Sequence, residues 1–221
     1  MTDVGRRLRA DAQRNHEQLL AAARDVLVER GPGAPLDEVA RRAGVGIATL
    51  YRRFPDRTAL LRAVVVDALQ RASRAAEDAL AEESDGFSAL SRYMHAALDS
   101  RVSTVIPVVL GALDLEDPEV GSVRETSAAL VQRIVDAAHR DGSLPADVTF
   151  GDIGTILVRL SRPLPGPMPP EVDAGLAHRH LDLFLAGIRA TGDGKLPGGA
   201  GPERADLRAW RGSEPGRTNA G

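Results

Sequence analysis

The chain has 221 residues, a net charge of −3 and no cysteine, so it can bury one sizeable core, or a small domain joined to a larger one, and disulfides, thiolate catalysis and cysteine-held zinc are excluded. Its basic residues are 27 Arg and one Lys, Lys195, which reads as the codon bias of a GC-rich bacterial genome, and their placement is uneven: residues 1–62 carry a net +4 and the remainder a net −7. A chain polarised in this way draws phosphates to one part and repels them from the other, which orients an encounter as well as promoting it.

The opening MTDVGRRLRADAQ lacks the apolar stretch of a signal peptide, and the longest apolar run, Val102 to Leu113, is too short to cross a bilayer. The expectation is a cytoplasmic protein without membrane contact. A first helix is expected from about Arg14 to Arg30, with Leu19, Leu20, Ala23, Val26 and Leu27 on one face and Gly31-Pro32 as its stop. After a loop to Pro35, two short helical patterns hinge on Ala43-Gly44-Val45. Leu36, Val39, Ala40 and Ala43 mark the apolar face of the first, and Ile47, Leu50 and Phe54 that of the second, so both can share a small core. The polar side of the second, with Thr49, Tyr51, Arg52 and Arg53, is left free to enter a groove of DNA.

The run AGVGIATLYRRFPDRTALL resembles the signature of the tetracycline-repressor (TetR) family of bacterial transcription regulators, which typically reads AGVSxGTLYxHFxxKxxLL; the match is dense over about residues 14–62. Gly46 stands where the family usually has a Ser that caps the reading helix, a change of only a few tenths of a kcal/mol. Ala48 replaces the usual Gly, and Arg57 replaces the usual Lys while keeping its charge. The resemblance implies an all-α protein: an N-terminal three-helix helix-turn-helix domain joined by a long helix to a helical ligand-binding and dimerisation domain. It implies phosphate contacts from the hydroxyls of Thr49 and Tyr51, from Arg57 by charge and from Arg14 on the neighbouring strand. Arg52 is the candidate for bidentate recognition of guanine, and the backbone amides of Ile47 and Ala48 offer a helix N-terminus to a phosphate.

Pro55-Asp56 ends the reading helix, with Asp56 as N-cap of a long pattern from Arg57 to about Glu83 that carries Leu60, Leu61, Val64, Val65, Ala68, Leu69, Ala72, Ala76 and Leu80. A helix that begins beside DNA and continues into a second domain can act as a lever. The apolar pattern resumes at Phe87, Leu90, Met94 and Leu98; Pro107 interrupts the next run, and a further helix fits Pro118 to Arg140. The expected segments are 1–56 for DNA binding, 57–190 for effector binding and dimerisation, and 191–221 as a glycine-rich disordered tail, with Trp210 in it.

Two apolar helices are expected near 150–160 and 170–190. In the resembled family the last two helices pair with their copies in a second subunit as a four-helix bundle. The interface expected here is Ile153, Ile156, Leu157 and Leu160 with Leu176, Leu183, Phe184, Gly187 and Ile188. A homodimer sets two reading helices about 34–36 Å apart on a palindromic operator. Arg92, Tyr93, His95, Asp99, Arg101, Arg133 and Arg159 are the polar candidates for holding a small-molecule effector of largely apolar character.

No cofactor or metal is expected. His178 and His180 lie two apart and diverge on a helix, while His16, His95 and His139 are isolated in sequence. No nucleophile or phosphate-loop motif occurs, so an enzyme is not expected. The reading is therefore a regulator, a repressor released from its operator by a ligand. Its rival is a ligand-binding or scaffolding helical protein that carries the motif unused, and salt-dependent retardation of DNA separates the two.

Overall fold

The computed structural model describes residues 3–101, 103, 105, 106, 117–191, 195, 196 and 198–207, and no strand occurs among them. The helices are α1 (Asp3–Arg30), α2 (Leu36–Arg42), α3 (Ile47–Arg53), α4 (Arg57–Glu82), α5 (Gly86–Asp99), α6 (Pro118–Arg140), α7 (Phe150–Leu160) and α8 (Pro170–Thr191). The expected elements are all present where described, and α1 begins about eleven residues before its expected start at Arg14. Those residues lack a stripe to mark them, but Arg, Leu, Ala and Gln are good helix formers. Pro107 and its apolar run from 107 to 113 lie outside the described residues.

The chain forms two compact units: Met1–Arg71 with Thr104–Thr126, and Ala72–Ser103 with Ser127–Gly221. The sequence placed a boundary at 56/57, whereas the units part within α4 at 71/72, because Leu60, Leu61, Val64, Val65, Ala68 and Leu69 are all buried in the first unit's core. Their partners there are Leu19, Leu20, Ala23, Val26 and Leu27 of α1, Leu36, Val39 and Ala40 of α2, and Leu50 and Phe54. Arg24 and Arg71 converge on Asp67, the latter at 2.9 Å, so one carboxylate ties α1 to α4 at this core edge.

Local chemistry explains where these helices begin and end. Asp56 caps α4 as expected, its Oδ1 accepting from the Ala59 amide at 2.7 Å. Gly44 holds φ +68° between α2 and α3, a conformation cheap for glycine alone, and there the Val45 amide reaches back to the Ala40 carbonyl at 3.0 Å. In the second unit Asp85 caps α5, accepting from the Ser88 amide at 2.9 Å. Gly86 sits so close to α6 that a Cβ there would lie 2.2 Å from the Ala138 nitrogen.

The second core gathers Phe87, Leu90, Tyr93 and Met94 of α5, Leu130, Val131, Ile134 and Val135 of α6, Ile153 and Leu157 of α7, and Leu181, Leu185 and Ile188 of α8. Part of the expected tail belongs to this unit as well. The Leu196 amide donates to Asp147 Oδ2 at 3.1 Å, the Gly201 amide to the Asp147 carbonyl at 3.1 Å, and Thr149 Oγ1 to the Pro202 carbonyl at 2.9 Å. Residues 196, 201 and 202 are therefore held near the start of α7, where a disordered tail was expected: few aliphatic side chains are needed when backbone groups find such partners. Residues 192–194, 197 and 208–221, Trp210 among them, lie outside the described residues.

Candidate nucleic-acid interface

The reading helix α3 is seven residues long, and its two sides differ sharply. Leu50 is fully buried and Phe54 closes the core behind it, while Ile47, Ala48, Tyr51, Arg52 and Arg53 are exposed and Thr49 is half-buried. Tyr51 is 49% exposed, so it is not a core aromatic. Gly46 occupies the N-cap with extended backbone and no side chain to bond the first amides, as the sequence implies.

Two residues of the expected apolar faces are placed differently. Ala43 is only half-buried, and Ile47 is 41% exposed rather than packed in the core, because Leu50 and Phe54 already fill the space that α3 shares with α1 and α4.

The arginines of this region divide by their partners. Glu38 on α2 receives Arg41 at 2.7 Å and Arg42 at 3.1 Å, and Arg42 also grips Glu29 of α1 at 2.7 Å. Hydrogen bonds from Arg41, then from Arg42, hold the Glu38 carboxyl down to about 2. Arg53 donates to His16 Nδ1 at 3.2 Å, and the His16 ring lies 5.9 Å from that of Phe54, centre to centre. Arg57 donates to the carbonyls of Pro32 at 2.9 Å and Ala34 at 2.6 Å. It thereby pins the α1–α2 loop, where the Pro32 and Ala34 carbonyls lie outside any helix and take their donor from this side chain. Arg52 is exposed and has no hydrogen-bond or ion-pair partner among the described residues. Arg14 is exposed on α1.

The expected dimer residues divide in the same manner. Ile153, Leu157 and Ile188 lie in the second unit's own core, Ile153 at 0% exposure, and so offer little surface to a second subunit. Ile156, Leu160, Leu176 and Phe184 are half-buried, and Gly187 and Leu183 are exposed, the latter at 59%.

The effector candidates do not converge on one point. Arg92 pairs with Glu82 and Glu83 on the surface, Arg133 and Arg159 are exposed, and Arg101 closes α5 with φ +52°. Tyr93 is buried, and burial pushes its phenol well above the usual range. His95 and Asp99 instead belong to a chain that the sequence did not show. His95 Nδ1 meets His178 Nδ1 at 2.8 Å, His95 Nε2 meets Asp182 at 3.1 Å, and His178 Nε2 meets Asp99 at 2.9 Å. The two rings are parallel within 1°, and atoms 2.8 Å apart cannot belong to faces stacked at van der Waals distance, so the imidazoles lie edge to edge and share a hydrogen bond between α5 and α8.

None of the histidines read as isolated stands alone: His139 bonds the Val148 carbonyl at 3.0 Å, and the partners of His16 and His95 are given above. No sequence spacing could signal these pairs, which join residues as much as 87 positions apart. Among the described residues no group of three or more His, Cys, Asp or Glu could hold a metal ion, and no helix is long and apolar enough to cross a membrane.

Residues 19–64 match the model of the family of bacterial regulatory proteins known as tetR. A TetR transcription regulatory protein from Mycobacterium vanbaalenii is 32% identical, with a TM-score of 0.58 over 82% of this chain and 99% of its own. A TetR transcriptional regulator from Streptomyces coelicolor is 29% identical, with a TM-score of 0.55 over 78% and 97%. The TetR-like regulator LfrR from Mycobacterium smegmatis, solved with proflavine, is 24% identical, with a TM-score of 0.57 over 78% and 96%. Among curated proteins none matches the chain.

Proposed function

The chain belongs to the TetR family of bacterial regulatory proteins and is a DNA-binding transcriptional regulator; from that premise we propose that it is a cytoplasmic repressor, which holds a palindromic operator as a homodimer until a small molecule releases it. The observation that carries the DNA contact is the composition of the exposed side of α3. Thr49 and Tyr51 supply hydroxyls for phosphates, and Arg52, unpartnered among the described residues, supplies a fork for the O6 and N7 of guanine. Arg14 and the amides of Ile47 and Ala48 complete the expected contacts.

Dimerisation is supported by an apolar face on α8. Val172 and Leu183 are 48% and 59% exposed, and with Leu176 and Gly187 they recur on one side of that helix. Nothing lies within 4 Å of the place a Cβ would take on Gly187, so another backbone can approach there. Release by a ligand draws on LfrR, whose structure holds proflavine, and on the apolar core around Tyr93. A ligand that favours the released conformation by about 3 kcal/mol lowers operator occupancy roughly a hundredfold.

Gel-shift titration against a panel of mutated operators tests the reading. Tyr51→Phe weakens binding nearly uniformly across the panel, whereas Arg52→Ala relaxes one base position by about 1–3 kcal/mol. Unchanged affinity and selectivity in the double variant Tyr51→Phe/Arg52→Ala would remove the assignment.

A further inference from the structure

Ile47 is the first residue of α3 and is not among the residues that build the first unit's core. Its side chain is 41% exposed, the core behind it is filled by Leu50 and Phe54, and a β-branched residue is a poor choice to open a helix that lacks a side-chain cap. The ground around it is open. Gly46 has no side chain, nothing lies within 4 Å of where its Cβ would be, and Ala48 next to it is small and exposed. On the helical wheel Ile47 and Ala48 share one exposed arc with Tyr51 and Arg52, the residues already assigned to phosphate and guanine. In the major groove the one apolar feature of a base edge is the 5-methyl group of thymine.

We propose that Ile47, with Ala48 beside it, reads a thymine methyl group in each half of the operator. The inference rests on the DNA-binding reading above and adds a second element of sequence choice to it. Ile47 and Arg52 are five residues apart, about 7.5 Å along a helix. With a base-pair rise of about 3.4 Å, that sets the thymine about two steps from the guanine that Arg52 addresses. The half-site therefore pairs an apolar reader at the start of α3 with a charged one at its end, and cytosine at the thymine position is rejected because it offers no methyl group to cover.

The test begins by selecting duplexes from a random pool with the full-length protein, then replaces each thymine of the selected half-site in turn by deoxyuridine, which lacks only the 5-methyl group. One thymine, about two steps from the guanine whose recognition is lost in Arg52→Ala, shows about a fourfold loss of affinity, the size expected for one methyl group no longer buried. In Ile47→Ala that preference disappears, so thymine and uracil duplexes bind alike, and Ile47→Val keeps part of it. Equal binding of thymine and uracil duplexes by the unaltered protein at every position overturns the proposal, as does a preference that survives Ile47→Ala. Failure to enrich any sequence overturns DNA reading as a whole, a result distinct from enrichment of a site indifferent to uracil.

Discussion

Whether an arginine can serve at a DNA surface depends on what its guanidinium already holds. Arg41 and Arg42 are clasped by Glu38 and Glu29, Arg53 by His16 and Arg57 by two loop carbonyls, so the motif's charge is less available than its composition suggests. Arg57→Ala leaves the Pro32 and Ala34 carbonyls without their donor and lowers stability by about 1–2 kcal/mol in chemical denaturation, with the loop from Gly31 to Pro35 exchanging its amides first. The His16–Arg53 contact gives a pH dependence. Burial, and next the charge of Arg53, depress the His16 pKa below 6.5, and the neutral ring leaves Nδ1 able to accept from Arg53. For a group depressed in this sense the unfolded chain binds the proton more readily, so the stabilisation is complete above about pH 6.5 and declines as the pH falls below it. A titration of the His16 ring proton by NMR shows a midpoint below that of a solvated histidine, and Arg53→Ala raises it.

At the scale of elements, contacts between backbones matter more than pairs of side chains. α5 can start where it does because Gly86 admits the Ala138 backbone and because Asp141, near the end of α6, accepts the Gly86 amide at 2.6 Å. Gly86→Ala places a methyl group against backbone that cannot yield as a side chain would, and the expected cost is about 1–3 kcal/mol, read as a lower urea midpoint with little change in helical content. Ser88→Ala, at the same helix start, retains the backbone amide that Asp85 caps and serves as the milder control. In the first unit, Arg62 of α4 meets Asp117 at 2.5 Å, and Asp117 also accepts from the Val120 amide at 3.2 Å. One carboxylate thus fixes the start of α6 and holds α4 beside it.

For the molecule as a whole, charge and apolar surface are segregated along the chain. The net +4 over residues 1–62 accompanies the reading helix, and the exposed Val172 and Leu183 belong to α8. Leu183→Glu introduces a like charge opposite its own copy in a symmetric pair, and the expected outcome is sedimentation as a single chain, together with a loss of operator affinity that exceeds any change in melting temperature. Thermal stability that falls as far as affinity would place Leu183 in the fold instead of the interface.

The sequence by itself determined the helix-turn-helix, since its apolar spacing, the Gly44 turn and the Asp56 cap are local features, each set by residues within a few positions of one another. It also determined the exposure of Tyr51 and Arg52, because a short amphipathic helix has one face to bury. The tertiary structure alone decided which arginines remain available, where Ile47 points, which of the α7 and α8 residues fill the chain's own core, and that residues 196, 201 and 202 dock near the start of α7. These depend on partners far apart in the chain, such as Arg53 with His16 or His95 with His178, and periodicity carries no record of a contact whose two members share no spacing.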